Sequence, residues 1–185
     1  MGATEYALRI VQEIEKAVRG VSDREAGLLL DRLQKAERIF CAGAGRSGLM
    51  VRSFAMRLMQ MGIECFVVGE TVTPSIGRGD LLLVGSGSGE TKGLLHMAEK
   101  ARDIGAEVAL VTSRRDSSIG TQADLTVILP GTTAKVAGSS VSTVQPRGSL
   151  FEQVLLVFLE TLVVMLMNRM NFTPDAIMER HANLE

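Results

Sequence analysis

The sequence predicts an α/β protein, a three-layer α/β/α sandwich on a five-stranded parallel sheet with two extra N-terminal helices. Short apolar runs alternate with segments of helical spacing, an order typical of parallel strands joined by helical crossovers. Apolar residues make up 46% of the chain, enough to cover both faces of such a sheet. Two glycine-rich turns each follow an apolar run, and α/β sheets bind ligands at that end of their strands.

Two helices are predicted ahead of the first strand. Residues 4–19 carry apolar side chains at helical spacing and end at Gly20, a helix stop. Ser22 and Glu25 have the spacing of a capping box, which predicts a second helix ending near Ala36. Because both helices precede the sheet, we interpret them as an addition to it.

The sheet and its helices follow in order. The predicted strands are 38–42, 64–68, 80–84, 108–111 and 125–129. The predicted helices are one that ends near Gly62, then 92–104, 149–168 and a short last helix opening at Thr173-Pro174. The segment 132–145 is rich in Gly, Ser and Thr, and we expect it to be mobile or ordered by a ligand.

We expect the 185 residues to form a single domain, since no linker or internal repeat divides them. Within it we distinguish the N-terminal helices, the α/β core, and a C-terminal helix with its tail. These parts are residues 1–36, 37–168 and 169–185.

The turn after the third strand has the composition of an anion-binding cradle. It reads Gly85-Ser86-Gly87-Ser88-Gly89-Glu90-Thr91 and leads directly into a helix. Glycines let backbone approach a ligand closely, and a helix N-terminus favours negative charge. Three hydroxyls can donate to a phosphate, whereas the lysine of a nucleoside-triphosphate P-loop is missing. We expect a phosphate-type ligand with Glu90 pointing away from it; the alternative is a plain surface turn.

The turn after the first strand allows two interpretations. Its Gly-x-Gly-x-x-Gly spacing at 43–48 matches the dinucleotide fingerprint, and Glu70 falls near the place of the ribose-binding acid. A dinucleotide does not need the second glycine-serine turn, however, and we predict no second domain for a reducible substrate. If the first and third strands are neighbours, the two turns lie side by side, and Arg46 and Ser47 can reach the same ligand.

Glu152 is a candidate general base. It follows Gly148 in the first turn of the long apolar helix, where a carboxylate either complements the helix dipole or takes a proton. The residues alone favour neither role. His96 inside a helix and Lys92 beside the cradle are interpreted as structural or solvated, and His181 in the polar tail as solvated.

Charge and apolar patterning argue against nucleic acid and membranes as partners. The formal net charge of −1 is spread along the chain and provides no basic surface. The stretch 150–167 has the length of a weak membrane span, but Glu152, Gln153 and Glu160 interrupt it. We predict a core or interface helix there, and a homo-oligomer because the helix exceeds what one small domain needs.

The two cysteines, Cys41 and Cys65, fall in predicted buried strands and lack the spacing of metal ligands. We expect reduced thiols, no metal, and a cytoplasmic location. The first residues show no basic region followed by an apolar stretch, so no signal peptide is expected.

Four stretches carry a family resemblance. The turns at 42–48 and 85–91 together resemble the sugar isomerase (SIS) domain family, whose sandwich is flavodoxin-like. The stretch 145–152, Gln-Pro-Arg-Gly-Ser-Leu-Phe-Glu, and the ending 181–185, His-Ala-Asn-Leu-Glu, resemble the 6-phospho-3-hexuloisomerase family within it. The resemblance covers essentially the whole chain, including the two leading helices.

The resemblance implies interconversion of D-arabino-hex-3-ulose 6-phosphate and D-fructose 6-phosphate in the ribulose monophosphate pathway of formaldehyde fixation. It also implies no metal or organic cofactor and a cytoplasmic homotetramer with active sites near subunit contacts. Glu152 would be the proton acceptor, and His181 a second catalytic group that reaches a neighbouring subunit's site. Arg46, His181 or a bound water would carry the proton between O2 and O3. The implied substrate-binding residues are Arg46, Ser47, Ser86, Gly87, Ser88, Gly89, Glu90 and Thr91.

Two alternatives stay open at this point. The chain resembles, more broadly, aldose–ketose isomerases of the SIS family that act on other phosphosugars, such as a pentose or heptose phosphate. A module that binds a sugar phosphate without catalysis would carry the same cradle.

Overall fold

The computed structural model describes residues 1–131 and 143–184 and confirms the predicted parallel sheet. Its five strands have the order β2-β1-β3-β4-β5 and lie within one residue of their predicted bounds. They are β1 at Ile39–Gly43, β2 at Cys65–Val67, β3 at Leu81–Gly85, β4 at Glu107–Thr112 and β5 at Leu125–Ile128. Strands β1 and β3 are neighbours, and their register pairs Gly43 with Gly85.

The predicted helices are also present. They are α1 at Ala3–Val18, α2 at Asp23–Lys35, α3 at Gly45–Gln60, α4 at Lys92–Ile104, α5 at Ser149–Met170 and α6 at Pro174–Met178. Helix α5 continues two residues beyond its predicted end and stops at Asn171, which has a left-handed backbone. Most of the segment predicted to be mobile or ligand-ordered lies outside the described residues.

Side chains of the strands alternate between two apolar clusters, one on each face of the sheet. In β1, Ile39 and Cys41 pack with the helices α2, α3 and α5, whereas Phe40 and Ala42 pack with α4. A strand buried on both faces needs apolar residues at successive positions, which is the pattern that the sequence shows. The predicted α/β/α sandwich is therefore confirmed, with most helices on one face and α4 on the other.

Helix α5 is long and apolar enough to cross a membrane by length and composition, yet half of its apolar window is buried within the protein. It packs against α3, α1 and α2 on one face of the sheet. Its buried side chains include Phe151, Leu155 and Leu162. These contacts agree with its interpretation as a core helix.

The predicted capping box at the start of α2 forms only in part. The Ser22 hydroxyl accepts from the Glu25 backbone N–H at 3.3 Å, as expected. Among the described residues, the Glu25 carboxylate does not return to Ser22: it accepts from the Ile128 N–H at 2.9 Å and pairs with Arg115. Strand β5 is the edge of the sheet, and an edge N–H lacks a partner strand. Glu25 satisfies that group and so ties α2 to the sheet.

Asp80, just before β3, is expected to matter for stability. Its carboxylate is buried and accepts from the Arg38 guanidinium at 3.0 and 2.6 Å and from the Gly77 N–H at 2.6 Å. Asp80→Ala should lower the free energy of unfolding by about 3 kcal/mol, because it leaves charge-assisted donors without their acceptor. Asp31, in an exposed pair with Arg169, is the control; Asp31→Ala should cost less than about 1 kcal/mol. Equal losses in urea titrations of the two variants would contradict this prediction.

Candidate active site

The two glycine turns meet at the carboxyl end of the sheet. Gly43 and Gly85 are paired across β1 and β3, so both turns begin at the same level. A Cβ on Gly48 would lie 2.7 Å from the Gly43 carbonyl oxygen, and one on Gly43 would lie 2.8 Å from the Gly48 Cα. Only glycine at both positions lets α3 begin directly on the end of its strand.

A cavity of about 250 Å³ lies between these turns and the start of α5. The N-termini of α3, α4 and α5 all border it, and their dipoles together favour an anion. The lining residues are Ala44, Gly45, Ser47, Gly85, Ser86, Gly87, Ser88, Thr91, Leu94, Gly148, Phe151 and Glu152. Five of the eight predicted substrate-binding residues are among them.

The serine hydroxyls of the cradle are buried and oriented by the turn itself. The Ser86 hydroxyl accepts from the Gly89 N–H at 3.2 Å, and the Ser88 hydroxyl accepts from the Glu90 N–H at 3.2 Å. A hydroxyl that accepts in this way keeps its own O–H to donate. Both hydroxyls are therefore suited to a ligand with several acceptor oxygens, such as a phosphate.

The loop after β4 donates hydrogen bonds to the cradle, a role that was not predicted for its residues. The Gly87 carbonyl accepts from the Ser113 N–H at 3.1 Å and hydroxyl at 2.8 Å, and from the Thr112 hydroxyl at 3.1 Å. Gly89 has a φ of +63°, and a Cβ there would lie 2.0 Å from the Ser117 hydroxyl. The sequence signal that could have indicated this role is the set of hydroxyl residues at the end of β4 and just after it, Thr112, Ser113 and Ser117.

Glu90 points away from the cavity, as expected of a carboxylate in an anion-binding turn. It accepts from the Ser118 hydroxyl at 2.6 Å and the Ser118 N–H at 3.0 Å. These two hydrogen bonds lower the pKa of Glu90. Neither Glu90 nor Gly89 lines the cavity, and a direct role in substrate binding for these two stays a prediction.

Glu152 lines the same cavity as the cradle. Its side chain is only 17% exposed, and its Oε2 forms an ion pair with the Nε of Arg46. Arg46 belongs to the first turn of α3, is 61% exposed, and stands at the rim rather than in the lining. The ion pair joins the starts of α3 and α5, and it places a guanidinium beside the candidate base.

His181 does not join Glu152 within one chain. The Arg180 guanidinium lies against Gly62, just after α3, where a glycine Cβ would be 2.6 Å from its Nη1. The first turn of α3 borders the cavity, and its 16 residues span about 24 Å at 1.5 Å per residue. His181, exposed and adjacent to Arg180, is therefore at the opposite end of α3 from the cavity.

Three other residues considered in the sequence lie outside the cavity. His96 lines a separate apolar groove on the α4 face of the sheet, and Lys92 is exposed at the start of α4. Glu70, the candidate ribose-binding acid of a dinucleotide site, pairs with Arg52 of α3. The acid that a dinucleotide site would need, Glu70, therefore does not line the cavity.

A parallel α/β sheet with three helix N-termini, buried hydroxyls and a carboxylate around one cavity defines the class, an α/β protein whose cavity suits an anionic ligand. Comparison with known proteins gives the family. Residues 32–166 match the SIS domain family, and the chain belongs to it, as the resemblance predicted.

Relatives match nearly the whole chain or all of it. The 3-hexulose-6-phosphate isomerase of Bacillus subtilis is 46% identical over 185 residues, covering all of both chains. That of Mycobacterium gastri is 42% identical over 173 residues, covering 94% of this chain and 86% of its own. A Methanococcus jannaschii protein, whose crystal structure infers a molecular function of 3-hexulose-6-phosphate isomerase, superposes with a TM-score of 0.83. It is 34% identical, and the match covers 98% of this chain and 99% of that one.

Proposed function

We propose that the protein is a 6-phospho-3-hexuloisomerase, the activity also called 3-hexulose-6-phosphate isomerase. It would interconvert D-arabino-hex-3-ulose 6-phosphate and D-fructose 6-phosphate, in the ribulose monophosphate pathway of formaldehyde fixation. The observation that carries the proposal is one cavity lined by both the anion cradle and Glu152. The names of the relatives, at up to 46% identity, support the same reaction.

The phosphate of the sugar binds at the cradle. The hydroxyls of Ser86, Ser88 and Thr91 and the start of α4 supply donors to its oxygens. Ser47, at the start of α3, lies on the same lining and adds a further hydroxyl. Because the phosphate is remote from the reacting carbons, its binding energy positions C2 and C3 against Glu152.

Glu152 then moves one proton between adjacent carbons. Starting from the 3-ulose, it takes the proton from C2, the C–H electron pair forms the C2=C3 bond, and O3 gains a proton. The cis-enediol collapses when O2 loses its proton, the carbonyl forms at C2, and Glu152 returns its proton to C3. One carboxylate suffices because the two carbons are neighbours. The Arg46 guanidinium beside it can stabilise negative charge that develops on the enediol oxygens.

We further propose that the protein acts as a homo-oligomer, a tetramer by the resemblance, with His181 of one copy completing the site of another. Apolar side chains exposed on the outer helix layer support association. Val157 and Val164 lie two turns apart on α5, with Val164 56% exposed, and Leu49 and Met56 are exposed on α3. In a neighbour's site, His181 would carry the proton between O2 and O3.

A cytoplasmic location is part of the proposal. Cys41 and Cys65 are free thiols with their sulfur atoms 3.6 Å apart, as suits a reducing compartment. The hydrogen bond between Cys41 and Cys65, together with burial, raises the pKa of Cys41, so this thiol stays protonated.

Incubation with fructose 6-phosphate in heavy water tests the proposed reaction. Proton abstraction from C3 of this ketose should place deuterium there and yield the 3-ulose as a new isomer, both visible by NMR. Exchange at C1 instead would identify an aldose–ketose isomerase of another phosphosugar. Thermal stabilisation by fructose 6-phosphate without exchange or a new isomer would identify a binding module. A Ser88→Ala variant with the wild-type exchange rate would contradict the role of the cradle.

A further inference from the structure

A carboxylate on the N-terminal helix holds the segment that leads to the base. Glu13 of α1 accepts from the Val144 N–H at 2.9 Å on one oxygen. Its other oxygen accepts from the Thr143 hydroxyl at 2.6 Å and the Gln145 side-chain amide at 2.8 Å. The Thr143 hydroxyl in turn accepts from the Gln145 N–H at 3.1 Å. One side chain thus fixes three consecutive residues that lie 130 positions further along the chain.

These contacts favour the ionised form of Glu13. Desolvation raises its pKa, but the hydrogen bonds from Thr143, Gln145 and Val144 together outweigh that effect and lower it. A carboxylate has only acceptors, and it meets three donors here. Glu13 is therefore an anionic clamp on residues 143–145 at neutral pH.

The helix that carries the clamp is itself fixed to the protein. Ala17, one turn beyond Glu13, is buried, and Ile14 and Val18 pack against the main apolar cluster. Helix α1 also contacts α5, the helix that carries Glu152. Because α1 is packed on the core, Glu13 holds residues 143–145 at a fixed position relative to the core.

Only a short connection separates the clamped residues from the cavity. After Gln145, the Ser149 N–H donates to the Pro146 carbonyl at 3.1 Å and closes a turn. Gly148 has a φ of +95°, caps α5, and accepts from the Glu152 N–H at 3.2 Å. Gly148 and Glu152 both line the cavity, so a shift of residues 143–145 would displace the lining and the base together.

We infer that Glu13 is a positioning residue for the reaction, which fixes Gly148 and Glu152 relative to the phosphate cradle. The inference rests on the proposed function. It gives α1 a role in positioning the site. Helix α1 lies outside residues 32–166, the part of the chain that matches the family.

Glu13→Ala and Glu13→Gln test this inference, with Glu15→Gln as control. Glu15 lies on the same helix, and within residues 1–131 and 143–184 its pairing is local, with Arg19. For Glu13→Ala we expect kcat to fall about tenfold and KM to rise about threefold, because small misplacements of reacting groups are costly. Glu13→Gln keeps one acceptor oxygen and should lose less, and Glu15→Gln should match wild type. Loss of folded enzyme alone would lower kcat and leave KM unchanged.

Hydrogen exchange gives an independent readout. Amides of residues 143–148 should exchange faster in Glu13→Ala, while those of the β-strands keep wild-type rates. Wild-type KM and kcat in Glu13→Ala, or a loss of activity without faster exchange at 143–148, overturns the inference. If wild type shows no isomerisation, the proposed function fails by itself. The clamp is then judged by fructose 6-phosphate affinity, and an unchanged Kd in Glu13→Ala overturns it.

Discussion

Glu152→Gln is expected to lower kcat by about 10³-fold while the Kd for fructose 6-phosphate changes by less than about threefold. The amide has nearly the shape of the carboxylate and can still accept from the Arg46 Nε. It cannot take a proton from carbon, however, so the chemical step loses its base. Binding should persist because the phosphate donors belong to a different element, the turn at 85–91, and the substitution leaves them intact.

Glu160→Gln is the matched control for this experiment. Glu160 lies two turns further along α5 and is more exposed, and its ionic contact in the described part of the chain is a long one, 4.0 Å to Arg57. It should retain wild-type kcat and KM. Calorimetric titration with fructose 6-phosphate and steady-state assays of both variants separate binding from turnover. Wild-type turnover by Glu152→Gln would show that Glu152 is not the base. Loss of fructose 6-phosphate binding would show instead that the carboxylate serves binding.

The fold could be predicted because its signals are local. Each strand of the sheet is a short apolar run, and burial on both faces follows from apolar residues at successive positions, as in Ile39 to Ala42. Glycine turns at the ends of β1 and β3 then predicted where a ligand would bind, and the register of Gly43 with Gly85 agrees. Local pattern and global topology point the same way, which is what a single stable fold requires.

Contacts between residues distant in sequence could not be predicted in this way. The spacing of Ser22 and Glu25 predicted a reciprocal box, but the edge N–H of Ile128, 103 positions away, competes for the Glu25 carboxylate. The pairing of Arg46 with Glu152 likewise depends on how α3 and α5 pack, since 106 residues separate them. Sequence rules describe interactions between residues close together in the chain. Charged side chains instead pair with groups that the tertiary fold brings near them, whatever their separation in sequence.

Because His181 lies far from the cavity of its own chain, we expect two inactive variants to restore activity when they are mixed in one oligomer. Glu152→Gln and His181→Ala are each expected to lose at least about 10²-fold in kcat. Because Arg180 lies beside Gly62, at the far end of α3, one chain does not supply both groups to its own cavity. A site formed between two copies needs an intact Glu152 from one and an intact His181 from the other.

Co-expressing the two variants should therefore restore about a quarter of the wild-type activity, since each intact group is present in half of the copies and they assort independently. The control pairs Glu152→Gln with the double variant Glu152→Gln/His181→Ala, which leaves no site with an intact base and should stay inactive. Sedimentation of the wild-type protein at micromolar concentration should show an oligomer. If co-expression restores nothing although mixed oligomers form, His181 does not act across a subunit contact.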